Sequence, residues 1–135
     1  MRSLLGVVVG VVVWMVGFWI LATLLAQLWP DYAAHVRRWM RAGVFTFTPL
    51  MAFCNLVLWV LAETGAGWAV ARIARRREAV WVLAGLVGIY LAVLHLVLDW
   101  PRFPWWYNLG VVVPAVPAVL LGAKLANSLR STWLN

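Results

Sequence analysis

The chain has 135 residues, of which 66% are hydrophobic and only 11% charged, with a formal net charge of +7. Such a balance excludes an ordinary soluble domain and implies an integral membrane protein. The positive excess, which in a soluble chain would point to nucleic acid, here points to anionic lipid headgroups. The bilayer is therefore the first expected partner, and nucleic acid is not one.

Four apolar tracts stand out: Leu4 to Leu28, Val44 to Ala71, Ala79 to Leu98 and Leu109 to Ala126. Each has about 18 to 28 residues, enough at ~1.5 Å per residue to cross a hydrocarbon layer of ~30 Å. None alternates with the two-residue period of a barrel strand. A segment in lipid must satisfy its own backbone, so four helices are expected, at about 4–28, 49–72, 79–99 and 104–128. The fold class is all-α, a single compact antiparallel bundle.

The first tract follows Arg2, as a secretory signal would. It is too long for one and has no A-x-A site at its end, so it reads as the first helix. Gly6 and Gly10 in it are spaced as GxxxG, a pattern that lets helices approach closely. In the loop that follows, Trp29, Tyr32 and Trp39 are rings of the kind that settle at headgroup level. The stretch "HVRRWMRAG" has the makings of a short amphipathic helix lying on the membrane surface.

In "FTFTPL", Thr48 is an N-cap candidate and Pro49 a first helical residue whose missing N–H costs nothing there. Cys54 has no cysteine to pair with and reads as a small apolar filler, while Asn55 is a candidate for an interhelical hydrogen bond. Glu63 is the conspicuous residue of this helix. It lies fourteen residues after Pro49 and nine before Arg72, roughly 21 Å and 13 Å from the two helix ends and near mid-bilayer. A carboxylate facing lipid there would cost several kcal/mol, so Glu63 should face the bundle and be either paired or protonated. Its surroundings are small residues, Ala62, Thr64, Gly65, Ala66, Gly67 and Ala69. Gly10, Gly88 and Tyr90 fall at a similar depth, which makes Glu63 and Tyr90 a candidate intramembrane polar site.

Glu78 suits the positive end of the third helix. His95 and Asp99, four apart near its other end, are a candidate outer-face pair in which the carboxylate accepts from the imidazole. Their depth differs from that of Glu63 by about 10 Å, too far for the three to act together. After the turn "DWPRFPWWYN", Trp105, Trp106 and Tyr107 form a second aromatic belt. Pro114 and Pro117 then free the carbonyls of Gly110 and Val113 as acceptors for Glu63. A protonated Glu63 donating to one of these or to Tyr90 would accept Gln more readily than Leu. Lys124 can snorkel to the surface.

One face carries Arg2, Arg72, Arg75, Arg76, Arg77, Lys124 and Arg130, the other Arg37, Arg38, Arg41 and Arg102. The first is therefore expected to be cytoplasmic, together with both termini.

The glycine/alanine-rich stretch running into A-x-x-A-R (Gly65 to Arg75) resembles a group of small, uncharacterised bacterial four-helix membrane proteins. So do the P-x-W-Y opening (Pro104 to Tyr107) and the G-x-x-L-A-like end (Gly122 to Ala126) of the fourth helix. The resemblance implies a shared fold and no reaction.

No Walker loop, H-E-x-x-H, G-x-S-x-G or paired C-x-x-C occurs, so neither a cofactor nor a metal is expected. The leading expectation is a non-enzymatic structural or accessory protein of the inner membrane, partnered by a second copy or another membrane protein. A proton- or cation-coupled transporter or channel using Glu63 is the alternative, and an enzyme acting near His95 and Asp99 the second. The three make different demands: water at Glu63, an open cleft at His95, or neither.

Overall fold

A computed structural model of the chain describes residues 1–132, with side chains as far as Ser128. The side chain of Arg130, counted in the charge tally, lies outside the described residues. The fold is all-α: α1 (Arg2–Leu28), α2 (Pro30–Ala42), α3 (Pro49–Ala74), α4 (Arg77–Ala92), continued by a π-helical turn over Val93–Leu98, and α5 (Trp105–Thr132). Four stretches are long and apolar enough to cross a membrane: Arg2–Leu28, Pro49–Ala74, Arg77–Leu98 and Trp105–Ser128.

The helix signals act as their chemistry dictates. The Thr48 side chain accepts from the Met51 N–H at 3.3 Å with Pro49 at the first helical position, and Glu78 sits in the first turn of α4. The stretch between the first two long helices does form an amphipathic helix, α2, closed by Gly43 at φ 65°. His35 Nδ1 lies 2.7 Å from Thr46 Oγ1, tying α2 to the segment that leads into α3.

Consecutive long helices alternate in direction, with α3 at the centre, packed most extensively on α5 and α1. The closest pair, α3 and α5, runs parallel. Gly110 faces Leu56 toward the α2 end, and Gly67 and Gly122 lie against Val119 and Thr64 further along. A methyl group built on Gly67 would overlap the Val119 carbonyl, and one on Gly122 the Thr64 carbonyl, so both glycines are there for closeness. Gly6 and Gly10 bring α1 onto Ala74 of α3 and Leu83 of α4 in the same way.

The two ends of the bundle are built differently. Toward the α3–α4 turn the buried faces are small residues, such as Ala66, Val70 and Ala74 on α3 and Ala115, Val119 and Ala123 on α5. Toward α2 the interior is aromatic. Phe18 stacks on Trp59 at 3.8 Å, Phe103 on Tyr107 at 5.3 Å, and Phe45 meets Phe103 edge-on at 5.2 Å. Two residues expected in an exposed belt belong instead to this interior. Tyr32 and Tyr107 are 1% and 4% exposed, whereas Trp105 is 65% exposed. The turn holding Phe103 folds Tyr107 inward, and α2 lays Tyr32 against Phe47 at 5.6 Å.

Candidate functional site

Large rings cannot interdigitate as closely as alanines and glycines, and at the α2 end they leave a cavity of about 430 Å³. Asn55 and Trp59 of α3 form its floor. One wall is α1, with Trp14, Phe18 and Ala22, and the other is the α4 side, with Tyr90, Leu94 and His95. Tyr32, Val36 and Trp39 of α2 roof it. Among the lining residues, Met15, Trp19 and Thr23 of α1, Met40 of α2 and Tyr90 of α4 are exposed, which marks a mouth between α1 and α4 that continues toward α2.

His95 is placed in this cavity by the π-helical turn, where the backbone bonds skip one residue further than in an α-helix and Asp99 N–H bonds back to the Leu94 carbonyl. Asp99 closes that turn as its C-cap. The expected hydrogen bond between His95 and Asp99 is not formed: Asp99 instead pairs with Arg102 at 3.3 Å, and His95 Nδ1 is 3.1 Å from Asn108 Oδ1. The Asn108 amide is fixed by its other end, since Nδ2 donates to the Phe103 carbonyl at 3.4 Å. Its oxygen therefore faces the imidazole, and Nδ1 must be the protonated nitrogen that donates to it. In the neutral ring Nε2 is then a bare acceptor. It is buried and without a partner, and His95 as a residue is 4% exposed.

Two more cavity-lining groups are in the same condition. Trp14 Nε1 and Asn55 Oδ1 are buried with no hydrogen-bond partner among the described residues. All three side chains gather around Trp59. The Trp14 ring centroid is 6.1 Å from that of Trp59, the His95 ring stands edge-on to it at 6.3 Å, and Asn55 is one turn before it on the same helix. Buried polar groups are seldom left unpaired, and three residues that line one cavity each carry such an atom, covered by neighbouring side chains rather than open to the cavity.

Glu63 faces the bundle as expected and is fully buried, one turn from Trp59 toward the α3–α4 end, but it does not line the cavity. Neither carboxyl oxygen has a hydrogen-bond partner, so the expected donation to Tyr90 or to a proline-freed carbonyl is absent. α5 is level with α3 at Val119 and Gly67 and at Gly110 and Leu56, so it passes Glu63 between Ala115 and Pro117, about two turns beyond Gly110. Tyr90 is 53% exposed, with its ring edge-on to Trp14 at 5.4 Å.

Asn108 and the aromatic trio Trp14, Phe18 and Trp59 were not singled out from sequence. An amide opening an apolar tract was the available signal for Asn108. Tryptophans and phenylalanines in a long apolar helix carry none that separates a cavity wall from an outward face. Among the described residues, no three His, Cys, Asp or Glu side chains come together as a metal site would require. No protein-family model matches the chain, and no curated protein or solved structure does either. The resemblance to small bacterial four-helix proteins therefore carries no residue role onto these positions.

Proposed function

We propose that the chain is a non-enzymatic, multi-pass accessory protein of the bacterial inner membrane that holds a lipid-like molecule in the cavity at its α2 end. The observation that carries this reading is an aromatic cavity, open between α1 and α4, with unpartnered polar atoms gathered around Trp59. Exposed large apolar side chains such as Val8, Trp19, Leu86 and Val113 on the long helices support a bilayer as the surroundings, from which an apolar molecule reaches the mouth without crossing water. The arginine balance supports both termini on the cytoplasmic side and the cavity in the outer leaflet, with α2 at headgroup level.

An enzyme using His95 as a general base is the second reading, favoured by the free Nε2 and its fixed tautomer. It lacks a nucleophile or acid in hydrogen-bonding contact with that nitrogen. The transporter reading has less support, because Glu63 is fully buried and outside the cavity.

Native mass spectrometry of the protein released from mild detergent tests the proposal. The wild type should retain a lipid-like adduct, and Ala22→Trp, which fills the cavity from the α1 wall, should lose it. Equal adduct on both proteins would contradict the reading.

A further inference from the structure

The polar atoms around Trp59 have a definite hydrogen-bonding sense, and the cavity has a definite charge. Trp14 Nε1 is a donor, while His95 Nε2 and Asn55 Oδ1 are acceptors. Among the described residues no lysine or arginine lines the cavity, and its carboxylate, Asp99, is already paired with Arg102. A phosphate or carboxylate head would bring only acceptors against His95 Nε2 and Asn55 Oδ1, with no cation to offset the loss of its hydration. An ammonium head would bring no acceptor for the Trp14 N–H and would find its carboxylate already engaged. A hydroxyl is the smallest group that both donates and accepts.

We infer that the ligand is a neutral, hydroxyl-bearing amphiphile, a long-chain or isoprenoid alcohol or an acylglycerol. Its hydroxyl meets the polar atoms of His95, Asn55 and Trp14 as the side chains that cover them give way on binding, and its chain lies along Phe18 toward the mouth at Met15 and Trp19. The assignment rests on the cavity being a binding site, and it adds the chemistry of the head. The Asn108 contact completes it, because holding Nδ1 as the donor keeps Nε2 as an acceptor for a neutral O–H.

The test uses the full chain in nanodiscs, photolabelled with a trace of a benzophenone-bearing long-chain alcohol and mapped by peptide mass spectrometry. Hexadecan-1-ol, hexadecyl phosphate, hexadecyltrimethylammonium and hexadecane compete at matched mole fractions in the bilayer. Labelling should be saturable, fall on cavity-lining residues and vanish in Ala22→Trp. The alcohol should compete roughly threefold to tenfold better than hexadecane, as one or two hydrogen bonds allow, and better than either ion. In Trp14→Phe, which keeps the ring and loses the N–H, that advantage over hexadecane should shrink. Saturable labelling in which an ionic competitor equals or beats the alcohol would overturn the head-group assignment and leave the cavity reading standing. Labelling that is not saturable, or that persists in Ala22→Trp, would overturn both.

Discussion

His95 Nδ1 donates to Asn108 Oδ1 across 3.1 Å, and this contact joins the π-helical end of α4 to the first turns of α5. Both side chains are buried, and the Asn108 amide is held in turn by the Phe103 carbonyl. Asn108→Leu leaves the imidazole N–H and that carbonyl without partners where water does not reach. It should lower stability by about 1 to 3 kcal/mol. Unfolding in mixed micelles with rising SDS measures this, and a loss below ~0.5 kcal/mol would mean the contact does not hold these elements together.

Gly67 and Gly122 mark the closest approach of α3 to α5, with backbone carbonyls on the far side of each. A backbone cannot step aside as a flexible side chain does, so Gly67→Ala and Gly122→Ala should each cost about 1 to 3 kcal/mol. Gly17 and Gly85, also helical, have nothing within 4 Å of a built methyl. Alanine there should be neutral or stabilising by about 0.5 to 1 kcal/mol. The same unfolding titration on the four variants checks the contrast, which would fail if all four behaved alike.

Much of the fold was legible because helices long and apolar enough to cross a membrane announce themselves by length and hydropathy, and because Thr48–Pro49 and Glu78 are local signals whose chemistry is complete within a turn. The GxxxG of Gly6 and Gly10 was legible for the same reason. Which helix faces which was not: Gly67 and Gly122 matter only through their offset along two parallel helices, a relation that no single stretch contains. His95 was found as a polar residue in an apolar tract. Its partner was misread, since Asn108 lies thirteen residues on in the next helix, and spacing within one helix carries no sign of it.

Glu63 shows the cost of that limit. The sequence placed it correctly in the bundle but supplied it with acceptors to which it does not bond, and both its oxygens are unpartnered among the described residues. The expectation that Gln would be tolerated better than Leu is therefore reversed. Leu removes an unsatisfied buried group and strands nothing, so Glu63→Leu should raise stability, by roughly 1 to 3 kcal/mol, and exceed Glu63→Gln. A Leu variant less stable than the wild type would show that the carboxyl has a partner in the working protein.

Burial pushes the Tyr32 phenol up to about 12, with a smaller contribution from Cys54. The folded state thus favours the neutral phenol, and the stability this contributes is complete below the unfolded value near 10. It is lost as pH rises toward 12. Tyr32→Phe cannot ionise, so the difference in stability between wild type and variant should be flat below pH 9 and move in favour of Phe between pH 10 and 12. A difference independent of pH across that window would place Tyr32 in water.

The central claim, that a membrane-derived amphiphile occupies the cavity around Trp59, is tested most directly at the methionines. Met15 and Met40 line the cavity, while Met51 is buried outside its lining and Met1 is exposed at the chain start. With methyl-13C methionine in detergent micelles, titrating hexadecan-1-ol should shift the Met15 and Met40 resonances along a saturating curve and leave Met1 and Met51 in place. Ala22→Trp should abolish those shifts. Four resonances drifting together without saturation, or a saturating shift that survives Ala22→Trp, would contradict the account.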